Sequence, residues 1–256
     1  LDGDVALAAA AGADVVFAPS VQSIQPPGRS TSVHVAGVSH DFEGAERPGH
    51  FDGVATICAA LFNLTQPDRA YFGQKDYQQT VVIRRMVCDL LFSLDVVVCP
   101  IVRDDDGLVL SSRNRYLTPE DRAEALRLPR ALRALEHAVR DGADDAVHLR
   151  GLLREALVSP REDVTVDYAD IVHPDTLVPV GDIGSRAVAL AVLRVGSTRL
   201  LDNAIVSPPG TPASARIRPT STSSRPSASR GVGYSPCSGS SRTSSPGAAA
   251  RSSRAA

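Results

Sequence analysis

Apolar positions along the chain switch between two spacings. Val54, Ile57, Cys58, Leu61 and Phe62 recur at three- and four-residue steps, the pattern of a helix with one face on a core. The short run Arg69-Ala70-Tyr71-Phe72 reads as a strand. It is followed by a second helical pattern, Val82, Met86, Val87, Leu90 and Leu91, ending near Ser93, and then by a strand over 95–99. Strand, helix and strand with short links predict a parallel, crossover-connected sheet, whose ligands bind at the carboxyl ends of the strands. Upstream, residues 2–11 read as a helix stopped by Gly12. Val15-Val16-Phe17 reads as a short buried strand ended by Pro19, and 32–35 as another; 20–30 and 44–49 are Pro/Gly loops.

At Pro100 the character changes. Asp104-Asp105-Asp106-Gly107 makes a turn, and Leu108-Val109-Leu110 follows it. Thr118-Pro119-Glu120-Asp121 is a helix start, with Thr as the cap and Pro at the first helical position. Helical spacing runs through Leu128, Leu132, Leu135 and Val139 to Gly142, and again through Val147, Leu149, Leu152, Leu153 and Leu157. Residues 164–172 and 187–195 are strands, and Leu200-Leu201-Asp202-Asn203 closes the patterned part. Helices followed by strands predict a small α+β domain. The expected organisation is a later part of a nucleotide-binding α/β domain over 1–101, an α+β domain over 102–206, and a tail over 207–256. That tail is rich in Ser, Pro, Arg, Ala and Gly with few large apolar residues, a composition that predicts disorder.

Composition adds three constraints. Seven of the 27 basic residues and none of the 29 acidic ones lie in 207–256, so the first 206 residues hold 20 against 29, a net charge of −9. A body this acidic argues against a nucleic-acid partner. Cys58, Cys88, Cys99 and Cys237 have no C-x-x-C spacing, and the first three sit in apolar runs, which predicts small buried thiols in a reducing compartment. No apolar stretch reaches membrane-spanning length, and the expectation is a cytoplasmic protein. The chain opens on Leu1 within a helical run, and the expected true N-terminus lies upstream of it.

The candidate chemistry lies in two segments. Phe72-Gly73-Gln74-Lys75-Asp76-Tyr77-Gln78-Gln79 joins a strand end to a helix, and such junctions favour anions because free backbone N–H groups and the helix dipole face the ligand. Lys75 is the only lysine among 27 basic residues, a compact mobile charge suited to phosphate in a chain that otherwise uses arginine. Ser111-Ser112-Arg113-Asn114 offers two hydroxyls and a guanidinium, a donor set for phosphate oxygens. Read alone, each is also an ordinary polar turn. The three adjacent aspartates read as a solvated face rather than a metal site, and His50 as a hydrogen-bonded structural histidine.

In combination these segments resemble the pantothenate synthetase (pantoate–β-alanine ligase) family. The resemblance rests on the Gly-x-Lys-Asp-x-x-Gln turn and on Asp-Gly-Leu-x-x-Ser-Ser-Arg-Asn-Arg-Tyr-Leu after it. It also rests on Arg47-Pro48-Gly49-His50-Phe51-Asp52-Gly53-Val54 and on Thr198-Arg199-Leu200-Leu201-Asp202-Asn203, and it runs from about Asp2 to Ile205. It implies a Rossmann-like, nucleotidyltransferase-type parallel sheet, incomplete at its N-terminus, followed by a small α+β domain. It implies an ATP-dependent ligase that condenses pantoate with β-alanine through a pantoyl-adenylate, with Mg²⁺, as a homodimer. By the same resemblance Gly73, Gln74, Lys75, Asp76, Val102, Leu110, Ser111, Ser112 and Arg113 bind ATP. Lys75, Ser111, Ser112 and Arg113 carry the catalytic charge compensation, and Gln79 binds pantoate, with Phe72, Val54 and Ile57 as its apolar wall. No protein ligand to a metal is expected.

Departures from the family pattern temper this expectation, among them the absence of a first-domain glutamine that helps hold pantoate. The family's His-x-Gly-His segment is absent, since none of His34, His40, His50, His137, His148 and His173 has that spacing; Leu110 and Gln74 replace the more usual Met and acid. The sequence therefore reads as a piece of the family lacking that segment, inactive by itself. The alternatives are another adenylyl- or cytidylyl-transferase of the same fold, or a non-catalytic truncated product.

Overall fold

The computed structural model describes residues 1–211. The tail predicted to be disordered, with Cys237, lies almost wholly outside these residues. Helices α1 (Asp2–Ala10), α2 (Val21–Ile24), α3 (Glu43–Glu46) and α4 (His50–Thr65) precede strand β1 (Arg69–Gly73). A 3-10 turn over Gln74–Asp76 leads into α5 (Tyr77–Asp89), and β2 (Asp95–Cys99) follows. β1 and β2 pair in parallel, from Arg69 opposite Asp95 to Gly73 opposite Cys99, as the crossover spacing requires.

Helix α4 reaches the core through a stripe adjacent to the predicted one and shares only Phe62 with it. Phe51, Ala55, Ala59 and Phe62 are buried, whereas Val54, Ile57, Cys58 and Leu61 are only half-buried. Ala55 and Ala59 share a core with Val82, Ile83, Met86, Leu94 and Val96, and Val54 and Cys58 pack against it. Helix α5 stops before Leu90 and Leu91, which are exposed, and Leu91 has φ 56°, a backbone state a helix cannot continue. Val15-Val16-Phe17 forms no strand: all three are exposed, and Val15 is 81% exposed. Residues 32–35 are irregular as well, although Val35 is buried.

After β2, a bridge between Arg103 and Val109 closes the Asp104–Gly107 turn, with Gly107 at φ 93°. The helical spacing from Pro119 to Val139 is split into α6 (Pro119–Ala125) and α7 (Arg127–Arg140); Thr118 Oγ1 caps the first by accepting from Asp121 N at 3.1 Å. Helix α8 (Ala146–Leu157) is capped by Asp145, and β3 (Val164–Val172), β4 (Ala187–Val195) and β5 (Thr198–Val206) form an antiparallel meander in the order β3-β4-β5.

The near-continuous apolar run of β4 is explained by burial on both faces. Ala187, Ala189, Ala191 and Leu193 enter the core beneath α7 and α8, while Val188 and Leu190 pack with Tyr77 and Val81 of α5. The period of two thus divides one strand between two cores, and the second core brings the start of α5 against the meander. Strand β3 has a register shift between Val166 and Tyr168, a bulge centred on Asp167. Bulges re-aim side chains next to functional sites, and this one borders the site described below.

Candidate functional site

Lys75 lies on the 3-10 turn at the carboxyl end of β1, where parallel sheets receive ligands. Its Nζ is 3.2 Å from Asp76 Oδ1. The turn is fixed from a distant part of the chain. Asn203 Nδ2 donates to the carbonyls of Gln74 (2.9 Å) and Lys75 (3.0 Å), and Gln74 Nε2 donates back to Asn203 Oδ1 at 3.1 Å. Asn203 is 2% exposed, so both ends of its amide are spent inside the protein. Its neighbour Asp202 accepts a two-pronged contact from Arg103, at 2.7 and 3.0 Å. Burial pushes the Asp202 carboxyl up, and the Arg103 guanidinium opposes that shift.

Around the turn are two cavities that share Lys75, Leu201 and Asp202. The first, with an empty volume of about 430 Å³, is lined by Lys75, Asp76, Gln78 and Gln79, by Glu43, Arg47, His50 and Phe51, and by Tyr168 and the β5 residues Leu201 to Asn203. The second, of about 320 Å³, joins Lys75 to Ser111, Arg113, Asn114 and Arg199. Ser111 caps the 3-10 segment Ser112–Tyr116 by accepting from Arg113 N at 3.3 Å, and Arg113 Nη1 donates to the Arg199 carbonyl at 3.2 Å.

A buried polar system holds the wall of the first cavity. Glu43, on α3, is 8% exposed. Its Oε2 accepts from Arg199 Nη1 at 2.7 Å, and its Oε1 accepts from Tyr168 Oη at 2.9 Å. Arg199 Nη2 lies 2.7 Å from Glu43 Oε1 but off the hydrogen-bonding line, so that contact is one of charge alone. Arg199 Nε also donates to Asp167 Oδ2, the same oxygen that accepts from Arg194 Nη2 at 3.0 Å. Burial alone would lower the Arg199 pKa, and the bonds to Glu43 and Asp167 outweigh it and raise it. Burial and the Glu43 charge together hold the Tyr168 phenol far up, so it is a neutral donor. Through its backbone N–H, Glu43 donates to Gln78 Oε1 at 3.0 Å, and Gln78 Nε2 donates to the carbonyls of Val38 and Asp41. The network thus ties α3, the start of α5 and the β3–β5 meander into one frame. His50 Nε2 pairs with Arg47 Nη1 at 3.1 Å, and burial, then Arg47, lower its pKa.

The structure therefore brings together Lys75, Asp76, Gln79, Ser111 and Arg113 of the sequence-derived set. Ser112 is exposed beside them, and Gly73 and Gln74 supply the turn without lining either cavity. Val102 and Leu110 are exposed and bonded to each other, Leu110 N donating to Val102 O at 2.9 Å, and line neither cavity. Phe72 packs into the core beneath α4 together with Val54, away from the lining. Cys58 and Cys99 are half-buried free thiols, and burial pushes Cys58 up to about 11, which leaves it inert. Among the described residues no group of three or more His, Cys, Asp or Glu is placed to hold a metal ion, and no helix is long and apolar enough to cross a membrane.

Glu43, Tyr168, Arg199 and Asn203 were missed as site residues by the sequence reading. Two of them stand in motifs that carried the family resemblance, but the partners of Asn203 lie 128 and 129 positions away, beyond any local spacing.

Comparison with known proteins decides the family. The family model described as pantoate-beta-alanine ligase matches residues 1–205. The chain belongs to the pantoate–β-alanine ligase family. It is 46% identical over 206 residues to a pantothenate synthetase of Acetivibrio thermocellus, covering 80% of this chain and 73% of that protein. A counterpart from Moorella thermoacetica is 47% identical over 206 residues, with 80% and 72% covered. The crystal structure of pantothenate synthetase from Thermus thermophilus superposes with a TM-score of 0.76 at 47% identity, covering 81% of this chain and 75% of that one. A pantoate-beta-alanine ligase from Francisella tularensis, complexed with beta-gamma ATP and beta-alanine, matches at a TM-score of 0.59 and 28% identity, with 80% and 69% covered. The chain is thus an enzyme of a ligase family, that of pantothenate synthesis.

Proposed function

We propose that this site joins pantoate to β-alanine at the expense of ATP, through a pantoyl-adenylate. The observation that carries the reading is the meeting of Lys75, Arg113 and Ser111 in one cavity and of Lys75, Asp76 and Gln79 in the adjoining one. A carboxylate is a poor acyl donor, so a pantoate oxygen first attacks the α-phosphorus of ATP. The bond from that phosphorus to the bridging oxygen breaks, and pyrophosphate leaves. The amine of β-alanine then attacks the acyl carbon, AMP departs, and the surplus amine proton passes to solvent.

The first step calls for charge compensation more than for a protein nucleophile. Lys75 lines both cavities, a position from which its ammonium faces charge building on the bridging oxygen. Ser111, Ser112 and Arg113 hold the phosphates. Gln79 faces pantoate in the first cavity, and Asp76 takes a ribose hydroxyl. Gly73 has φ −74° and open space beside its Cα, so nothing in the chain's own packing demands glycine there; close approach of the nucleotide to the backbone supplies a reason. Val102 and Leu110 border the adenine from their exposed loop, and Phe72 backs the pantoate pocket from the core. Asp76 is engaged by Lys75 and Asp202 by Arg103, so Mg²⁺ would arrive on the ATP phosphates rather than in a protein cage.

In the same reading the nucleotide-binding part spans 1–101 and the α+β part 102–206, in a cytoplasmic homodimer. These 256 residues contain no His-x-Gly-His, and turnover by them alone falls below detection. The test joins the family's His-x-Gly-His segment ahead of Leu1 and follows pantothenate and AMP. The joined protein forms both from pantoate, β-alanine and ATP, and the chain alone forms neither. Pyrophosphate release with other carboxylic or nucleotidyl substrates but never with pantoate would overturn the assignment.

A further inference from the structure

Beside the two cavities lies a third, open groove, with an empty volume of about 1260 Å³. Arg47, Arg113, Arg194 and Arg199 line it, together with Ser197, Thr198 and a single acid, Glu46. It meets the first cavity at Arg47 and the second at Arg113 and Arg199. This concentration of positive charge stands on a body whose first 206 residues carry a net −9.

The four guanidiniums are not equally engaged. Arg199 is held by Glu43 and Asp167, and Arg194 by Asp167. The side-chain contacts of Arg47 and Arg113 go to the neutral acceptors His50 Nε2 and the Arg199 carbonyl, with no carboxylate among the described residues. Arg47 sits at the end of α3 and Arg113 on the serine–arginine segment, so two separate parts of the chain present uncompensated forks to one space. Arg47 also lowers the pKa of His50, so the adjacent imidazole is disfavoured as a further cation.

We propose that this groove is a receiving site for inorganic pyrophosphate, the leaving group of the first step, with Arg47 as its anchor. The proposal rests on the ligase reading for the origin of the anion, and on the groove alone for its binding. Pyrophosphate carries several charges on two tetrahedral groups, which suits planar forks that bind oxygens bidentately, whereas a monocarboxylate would leave most of these donors unused. Hydroxyls of Ser197 and Thr198 add donors that carry no charge. Because Arg113 borders both the second cavity and the groove, the anion can pass from one to the other without losing its guanidinium.

The test is calorimetric titration of sodium pyrophosphate into the 256-residue chain, beside sodium sulfate and a non-hydrolysable ATP analogue. Pyrophosphate binds more tightly than sulfate, and Arg47→Gln weakens it about tenfold or more, as expected for loss of a charge-assisted contact. Ser197→Asp, on an exposed hairpin turn, weakens it at least as much without removing any internal pair. Arg85→Gln, far along α5 and paired to Asp89, leaves it unchanged. Affinity for the ATP analogue stays within about threefold in Arg47→Gln. Pyrophosphate binding that is absent, no tighter than sulfate, or indifferent to both groove variants would overturn the proposal. If the joined protein makes pantoyl-adenylate while pyrophosphate ignores Arg47, the groove fails and the ligase reading stands. If Arg47-dependent binding is found and no adenylate forms, the reverse holds.

Discussion

Ala187–Val195 and Val15-Val16-Phe17 are both apolar, and the chain treats them in opposite ways. The first is a strand buried on both faces, and the second is irregular and exposed. Composition does not separate them; neighbours do. β4 is flanked by β3 and β5 on its two edges and by two cores on its two faces, so its ladder bonds and its apolar side chains both find partners. Residues 15–17 have no ladder partner among the described residues. An apolar run becomes a strand where the rest of the chain supplies an edge, and the same dependence governs the site, whose turn is shaped by Asn203 on β5.

The largest expected effect falls where the two halves are clamped. Glu43→Ala would leave Arg199 and Tyr168 without their buried acceptor while the backbone bond from residue 43 to Gln78 remains, and should cost about 3–5 kcal/mol in stability by urea unfolding. A loss under about 1 kcal/mol would mean that the clamp is incidental to the fold. Next comes the direct contrast between the two apolar runs. Leu193→Ala, in a side chain with 0% exposure, should cost about 2–5 kcal/mol, whereas Phe17→Ala should stay within about 0.5. Equal losses would show that residues 15–17 are packed in solution.

The smallest expected effect is one of pH. The folded His50 pKa lies below its ordinary 6.5, chiefly because of burial. Between those two pKa values the unfolded chain binds more protons, so stability falls as pH drops through and below about 6.5. His50→Gln should flatten the unfolding midpoint over that window relative to the parent chain. A steeper loss on acidification in the variant would reverse the assigned direction.

Much of the C-terminal half was legible because its signals are local. Thr118-Pro119, Gly142 and the apolar spacings of α7 and α8 mark elements by their own chemistry, and the 164–172 and 187–195 runs become β3 and β4 with those bounds. The break at Leu126 between α6 and α7 was not legible, since the apolar spacing continues across it. In the site, Lys75, Gln79, Ser111 and Arg113 stood out by residue type and by family motif. Glu43 and Tyr168 did not: an acid on a four-residue helix and a tyrosine beside a bulge acquire meaning only when Arg199 arrives between them. The buried stripe of α4 was misplaced for a related reason, because spacing cannot tell which of two adjacent faces a sheet will accept.

In the proposed first step Lys75 acts as charge compensation rather than as a simple grip on ATP. Single-turnover formation of pantoyl-adenylate, measured beside calorimetric ATP affinity in the protein joined to the His-x-Gly-His segment, separates these roles. Lys75→Ala should lower the adenylation rate at saturating ATP by about 10²–10³ while ATP affinity changes only severalfold, and Lys75→Arg should recover little of the rate. A hundredfold loss of ATP affinity with a normal rate at saturation would contradict the account and make Lys75 a binding residue.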